Sequence, residues 1–413
     1  MRFRIHRGAR QIGGSCIEVE AEGQSLLLDL GLPLSAPKAS PVYLPPVPGL
    51  SEGGNRALLG IVISHPHMDH YGLLGCAHSS IPVHIGAGAK KLLKAAEPFM
   101  ATDAIPNAIS PYMDRKAFRM GPFRVTPFLM DHSAFDAYAL LVEANGRRLL
   151  YSGDFRAHGR KAAVFDAFLR SPPSNIDVLL MEGTVLGRED EELPVTESEL
   201  ELRIARSIED SQGLVLAYFS PQNVDRLVTF YRAARRVGRE FIADVYTANI
   251  LDGLGLASLP SPRSGDMRIY LPKGQKRRIL RTKRFDLVEP YRRQRVYPSK
   301  IAADPKRWMM MFRSSMLDDA EAIGNLKGGR LIYSLWPGYL DKDRRDLRDW
   351  CKSNGVSFEI QHTSGHAHVR DLKRLVEGVA PKRVIPIHTV HPEKYGDLFP
   401  NVELRANGEW VEI

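Results

Sequence analysis

The sequence predicts a layered α/β protein with a second, basic α/β domain inserted into the first. Three observations carry this. In the first 190 residues, apolar strand-like runs stop at polar, potentially reactive side chains: "LLGIVISH" (58–65), "FRVTPFLMDH" (123–132), "RRLLYSGDF" (147–155) and "IDVLLMEGT" (176–184). In layered α/β folds, ligands gather at loops beyond strand ends. The same strand-then-histidine pattern returns after residue 355, in "VSFEIQHTSGHAH" and "KRVIPIHTV". Between the two lies a stretch of different composition. The expected organisation is a first part over 1–190, an insertion over 191–355 and a completing part over 356–413. A chain of 413 residues, 44% hydrophobic, has ample material for such cores.

Taken in order, "GGSCIEVEA" and "QSLLLDLG" read as two strands joined at Glu22–Gly23, the second running into Asp29. Near residue 190 an acidic, Pro-containing lead-in precedes Thr196 and Glu199, which match a capping box ahead of an amphipathic helix. "GLVLAYFS" is a strand, "NVDRLVTFYRAARRVGRE" a basic-faced helix, and "EFIADVYTANIL" continues the rhythm. Residues 255–320, rich in Pro, Gly and base, resist assignment; strand character resumes in "GRLIYSL".

Charged residues make up 25% of the chain, an ordinary globular share, and the formal charge is +9. The excess is local. Residues 201–355 hold 30 Lys+Arg against 18 Asp+Glu, and the remainder is slightly acidic. A polyanion bound there would gain from counterion release. Cys16, Cys76 and Cys351 are far apart and fit no CxxC pattern, so no disulfide framework is expected. No apolar run reaches bilayer length, and "MRFRIHRGAR" has no apolar core of a secretion signal. A cytoplasmic protein without a membrane partner is the expectation.

The chemistry begins at "ISHPHMDHYG" (63–72), which packs His65, His67, Asp69 and His70 into six positions after an apolar strand. In extended chain His65 and His67 project to one side, while Asp69 and His70 in the following turn can face a second metal. His132, Asp154 and His388 each end a strand elsewhere. Together they make two ligand sets: His65, His67, His132 and Asp154 for one ion, and Asp69, His70, Asp154 and His388 for the other, with Asp154 shared. The expected cofactor is a pair of Zn2+ ions, and the ligand types admit manganese or iron instead. Such a pair bridges a water or hydroxide nucleophile and stabilises a phosphorane-like transition state, with Asp69 both ligand and part of the catalytic group. His366 in "HTSGHAH" suits the general acid, and Glu182 could accept its ring N–H and raise its pKa. Asp29, behind the HxHxDH segment, reads as a hydrogen-bonding support of the metal loop.

These motifs, in this order, resemble a known family. HxHxDH at 65–70, His132 in "DHS", Asp154 in "SGD" and Asp29 in "LLLDLG" are similar to the ordered motifs of the metallo-β-lactamase fold. Glu182, His366 in "SGHA" and His388 in "PIHT" are similar to the three further motifs of the β-CASP nucleases, which include ribonuclease J and the nuclease of mRNA 3′-end processing. The resemblance implies an αββα sandwich with an inserted β-CASP domain, and RNA running through a cleft between them. A histidine at the last motif, here His388, goes with RNA-processing members. Arg226, Arg313, Ser314 and Ser315 lie in stretches that resemble the family's phosphate-contacting loops. Arg156 and His158, in "GDFRAHGRK", could reach substrate phosphate or simply cover the rim of the site, and Ser364 and His368 could contact a terminal phosphate. The sequence runs 25 residues past His388, so no oligomerisation domain of the ribonuclease J kind is expected; the oligomeric state stays open, with a dimer one option. The implied activity is endo- or 5′-exonucleolytic hydrolysis of RNA phosphodiesters. Two rivals stand beside it: a nuclease of DNA or hydrolase of small phosphodiesters or esters, and a non-catalytic nucleic-acid-binding subunit.

Overall fold

A computed structural model describes residues 1–100, 109–187, 194–342 and 346–413. Its strands are β1 (Arg2–Arg7), β2 (Cys16–Ala21), β3 (Gln24–Leu28), β4 (Leu58–Ile63), β5 (Val83–Gly86), β6 (Ile109–Tyr112), β7 (Phe118–Met120), β8 (Phe123–Met130), β9 (Ala137–Ala144), β10 (Arg147–Tyr151), β11 (Val178–Glu182), β12 (Val215–Tyr218), β13 (Glu240–Asp244), β14 (Arg268–Tyr270), β15 (Trp308–Phe312), β16 (Arg330–Tyr333), β17 (Ser357–Ile360), β18 (Arg383–Ile387) and β19 (Trp410–Glu412). Its helices are α1 (Met68–Tyr71), α2 (Ala87–Ala96), α3 (Ala162–Arg170), α4 (Glu197–Glu209), α5 (Val224–Arg236), α6 (Val245–Leu254), α7 (Lys273–Thr282), α8 (Pro298–Ala303), α9 (Leu317–Ile323), α10 (Leu347–Ser353) and α11 (Val369–Val379).

The chain divides into two units, one made of Met1–Pro194 with Gly365–Ile413 and one of Val195–Ser364. The first unit holds two mixed sheets, ordered β19-β1-β2-β3-β4-β5-β6 and β18-β11-β10-β9-β8-β7. Alternation along the strands explains why they stack. In β9, Leu140 and Val142 point into a core shared with Phe3, Ile5, Leu26, Leu28 and Val62 of the other sheet. Ala139 and Leu141 point the opposite way, against Phe165 and Phe168 of α3 and Leu372 and Leu375 of α11. The same period of two runs through β10 and β11. With α2 packed on β5 and β6, the layers are helix, sheet, sheet, helix.

The second unit is a six-stranded, all-parallel sheet ordered β14-β13-β15-β12-β16-β17. Its strands β12 to β16 are largely buried on both faces, as parallel crossover connections require, and only the edge strand β17 is open to solvent. At α4 the capping box forms as the sequence predicts: the Thr196 hydroxyl accepts the Glu199 N–H, and the Glu199 carboxylate accepts the Thr196 N–H. The unreadable stretch 255–320 proves to be one short strand, helices of six to ten residues and several 3-10 turns around β15, too brief for any period to show. The expected boundary between 190 and 191 lies outside the described residues. The later one falls at Gly365 rather than 356, because β17 pairs in parallel with β16 and so closes the edge of the second unit's sheet.

Candidate metal centre

The site residues of the first unit sit on the ends of both its sheets. His65, His67, Asp69 and His70 follow β4, His132 follows β8, Asp154 follows β10, Glu182 ends β11 and His388 follows β18. The turn carrying Asp69 and His70 is strapped to residues 15–32. Leu30 N–H donates to the His70 carbonyl, Leu32 N–H to that of Met68, and Ser15 N–H to that of Asp69. Gly31 permits this close approach, since a Cβ there would collide with the Asp69 carbonyl. Asp29 and His388 both hold a left-handed backbone, with φ of 61° and 50°. That conformation is costly for side chains other than Gly, Asn and Asp, and it aims both residues inward.

Four close groupings result: His65–His67–His132, His65–His70–Asp154, Asp69–His70–His388, and Asp154–Glu182–His366, each with one nitrogen or oxygen per residue within 4.8 Å of the others. His67 Nδ1 faces His132 Nε2 at 3.2 Å. Asp154 Oδ2 lies 3.1 Å from His70 Nε2 and 3.8 Å from His65 Nε2, while its Oδ1 lies 3.0 Å from His388 Nδ1. Asp69 Oδ2 is 3.6 Å from His388 Nε2. Two donors bound to one tetrahedral zinc stand about 3.4 Å apart, from bond lengths near 2.1 Å. The spacing fits.

The hydrogen bonding fits better still. His65 Nε2, His70 Nε2, Asp154 Oδ2 and His388 Nε2 are buried and make no hydrogen bond. Buried polar atoms are rarely left so without a role. The opposite faces are braced. His70 Nδ1 donates to Asp29 Oδ2 at 2.7 Å, His65 Nδ1 meets Ser64 Oγ at 3.0 Å, and His388 Nδ1 meets Ser15 Oγ at 3.3 Å. Asp29, wholly buried, also accepts from Ser64 N, Ser64 Oγ and Tyr151 Oη at 2.6, 2.7 and 2.6 Å. With its Nδ1 proton committed to Asp29, His70 turns Nε2 inward, where a bound metal would take the place of the second proton, the arrangement that orients metal-bound imidazoles.

Electrostatics divides the site. Burial, then neighbouring histidines, holds His65 and His132 well below the usual histidine range; burial likewise lowers His67 to about 4. These three rings are neutral, with lone pairs to offer. Burial would also lower His70, but Asp154, Asp29 and Asp69 raise it well above the ordinary value. Burial opposes charge on Asp154, yet His388 and His70 keep it ionised far below the usual carboxylate range. Positive charge is demanded at the centre of the carboxylates.

His366 stands at one side of the cluster. Its Nδ1 is 3.3 Å from both oxygens of Glu182 and 3.7 Å from Asp154 Oδ2. Glu182 is itself fixed by the N–H groups of Phe155 and Thr184, at 3.1 and 3.2 Å. Burial depresses the His366 ring, but the charge and hydrogen bond of Glu182, with Asp154 and Asp69, raise it to about 9.

Several expected substrate contacts turn inward instead. Arg156 is fully buried, its Nε 3.6 Å from Asp131 Oδ1, and His158 is 3% exposed. Arg226 is 1% exposed and braces its own unit, donating to Glu197, to the Ser334 carbonyl and to the Thr363 carbonyl. Arg156 and Arg226 are thus held by partners inside their own units, and His158 is buried. Arg313 is ion-paired with Asp244, and Ser314 Oγ is 2.7 Å from Tyr218 Oη. Ser315 is exposed, Ser364 partly so, and His368 caps α11 by accepting the Arg370 N–H. Sequence reasoning missed Ser15, Gly31, Ser64 and Tyr151. Ser64 directly precedes His65 and Gly31 closes "LDLG", so adjacency to a ligand was the available signal for these two.

A two-sheet α/β sandwich with a histidine–aspartate cage at its strand ends defines a metallo-hydrolase. Comparison with known proteins narrows the class. Residues 25–209 match a family model for the beta-lactamase superfamily domain, and residues 357–395 match one for the Zn-dependent metallo-hydrolase RNA specificity domain. Ribonuclease J of Sinorhizobium meliloti is 23% identical over 94% of this chain and 69% of that protein. Ribonuclease J of Mycobacterium tuberculosis H37Rv is 24% identical over 92% of this chain and 67% of its own length. The crystal structure of a protein of unknown function from Enterococcus faecalis V583 matches the fold with a TM-score of 0.79 at 19% identity, covering 99% of both chains. Together these matches support a ribonuclease J-like β-CASP nuclease on the metallo-β-lactamase fold, a metal-dependent hydrolase. Among the described residues no helix is long and apolar enough to cross a membrane.

Proposed function

We propose that this chain is a ribonuclease working with two divalent ions, zinc first among them. His65, His67, His132 and Asp154 would hold one ion, and Asp69, His70, His388 and Asp154 the other. The observation that carries this is the set of buried, hydrogen-bond-free Nε2 and Oδ2 atoms converging on one place while their opposite faces are braced. Bound there, the ions would supply an acidified water and positive charge for the phosphoryl oxygens.

The chain's own residues do the rest. Asp29 fixes the tautomer and direction of His70, and Ser15 steadies His388. Glu182, anchored by two backbone amides, keeps the proton on His366 Nδ1 and turns Nε2 to the other side of the ring. From there a protonated His366 hands its proton to the departing 3′ oxygen of the phosphodiester, as a general acid. The RNA specificity domain at 357–395 and the ribonuclease J relatives support RNA over DNA or small esters as substrate.

End-labelled RNAs bearing 5′-hydroxyl, monophosphate or triphosphate ends, offered with and without chelator, test the reading. Metal-dependent cleavage that disappears with chelation and in His388→Ala is expected. RNA left intact by the metal-loaded protein, while single-stranded DNA or a small phosphodiester is hydrolysed, would overturn the substrate. Cleavage that persists after chelation would overturn the metal.

A further inference from the structure

One surface of the second unit lies outside the proposed chemistry. Helix α7 begins at Lys273, ends at a left-handed Lys283, and continues through 3-10 turns at Phe285–Leu287 and Glu289–Gln294 into α8. Between Lys273 and Lys300 the sequence has eleven basic residues and two acidic ones, a net +9 that equals the formal excess of the whole chain. Lys276, Arg277, Arg281, Lys283, Arg293 and Lys300 are exposed, and none has a side-chain partner among the described residues. Both acids are occupied within the segment: Asp286 with Arg284 at 2.8 Å and Glu289 with Arg292 at 3.8 Å.

This charge works against the local fold. Lys273–Arg277 and Arg277–Arg281 are like-charge pairs at i,i+4, and the first turn of α7 holds a lysine and no acid, against the helix dipole. Stability gains nothing from such a pattern. The segment is nevertheless firmly set, with Ile279, Leu287, Tyr291, Val296 and Ile301 buried beneath it. Between the cations stand exposed apolar groups: Leu280 at 55%, Phe285 at 56% and Tyr297 at 58%. The Arg295 guanidinium lies over the Tyr297 ring, 5.3 Å from its centroid. Cations with interleaved aromatic faces suit an unpaired nucleic acid strand, whose phosphates meet the charge and whose bases stack. A membrane-binding helix would instead carry a continuous Leu/Phe/Trp face, and α7 exposes a single leucine.

We infer that the α7–α8 surface of the second unit, built of residues that take no part in the metal cage, is an anchoring site for single-stranded RNA that holds the strand sequence-independently by backbone charge and base stacking. It extends the ribonuclease reading, yet its test requires no cleavage. Anisotropy of a fluorescein-labelled 20-mer of uridylate is followed with the full chain in EDTA, from 50 to 200 mM salt. Six phosphate contacts at about 0.7 ions each give a log–log slope near −4 and roughly a 300-fold loss of affinity over that range; removing three leaves about 20-fold. The triple variant Lys276→Ala, Arg277→Ala, Arg281→Ala is expected to flatten the measured slope by about 2. A control of equal charge change in the first unit, Lys91→Ala, Lys94→Ala, Arg119→Ala, is expected to leave it nearly intact. Phe285→Ala with Tyr297→Ala is expected to weaken the uridylate about 30-fold or more and a base-free polyphosphate not at all.

Equal flattening in the two triple variants would overturn the site, because net charge alone would account for it. So would a patch variant that binds uridylate like the parent but no longer binds phosphatidylserine vesicles or polyglutamate. RNA left uncut by metal-loaded parent protein refutes the ribonuclease reading alone, since the patch is measured with the metal stripped.

Discussion

If two ions are held as proposed, replacing Asp29 by Asn should weaken the hold on one of them and spare the other. The side chain keeps its volume, so the effect is one of donors and acceptors. Oδ1 accepts the Ser64 N–H, while Oδ2 accepts from Ser64 Oγ, Tyr151 Oη and His70 Nδ1. An amide with its oxygen toward the first sets an NH2 against the other three. The two hydroxyls can turn and accept, but His70 must then move its proton to Nε2, the atom facing Asp154 at 3.1 Å. The reverse orientation sets the NH2 against a backbone N–H that cannot turn, an unmade buried hydrogen bond of about 1–3 kcal/mol. The first arrangement is cheaper, and it caps the lone pair that a metal needs. Loss of such a supporting carboxylate typically weakens binding about 10–100-fold, which is about 1.4–2.7 kcal/mol. The ion held through Asp69, His70 and His388 should be affected, and the ion held through His65, His67 and His132 largely spared. Competition with a chromophoric chelator, together with metal analysis after gel filtration, should show a content falling from two ions toward one. Tyr151→Phe, which removes one donor and leaves His70 alone, should change affinity far less. Two ions in Asp29→Asn, held within about twofold of parental affinity, would refute the argument.

Other outcomes follow from the same contacts. His366→Ala should lower kcat about 10²–10⁴-fold with metal content unchanged, by single-turnover cleavage and metal analysis; loss of metal would instead make the ring structural. In the metal-free chain His366 should titrate near 9 by NMR, and Glu182→Gln should move it back toward the ordinary histidine value. Since that folded pKa lies above the unfolded value near 6.5, its stabilisation is complete below about 6.5 and is lost as pH rises through about 9; denaturant melts across that window check the sign. Gly31→Ala drives a Cβ into the Asp69 carbonyl, so at least 1–3 kcal/mol of stability, roughly, and part of the bound metal should be lost. Arg226→Met leaves Glu197 buried without its cation and should cost about 3–5 kcal/mol. Normal stability with weakened RNA binding would return Arg226 to the substrate.

The layered fold and the cage were legible because both are written in local pattern. Strand runs ending in His, Asp or Glu announce which residues reach the sheet ends, and HxHxDH places four candidates within one turn. Asp29, directly after the strand that begins at Gln24, could be read as a support on position alone. What stayed hidden depends on atoms and on distant packing. No spacing says that Asp29 gathers four donors, or that Ser15 lies 3.3 Å from His388 across 373 residues. A basic side chain beside a ligand reads as a substrate contact, yet Arg156 meets Asp131 in the interior, and that pairing depends on how β8 and the segment after β10 meet. The strand at 357–360 was ambiguous for a similar reason: its residues suit either sheet, and its backbone pairing with β16 decides.

The divided first unit has a consequence for synthesis. Its second sheet lacks β18, and its cage lacks His366 and His388, until the whole of residues 195–364 has been made. A nascent chain still emerging from the ribosome therefore carries the histidines of the first grouping without His366, the proposed proton donor, or the partner of Asp69. A message broken anywhere within that interval yields a product without β18, His366 and His388. If the chain cuts RNA as proposed, it acquires that capacity only once residue 388 has been made, and no fragment released earlier could turn on the transcripts around it.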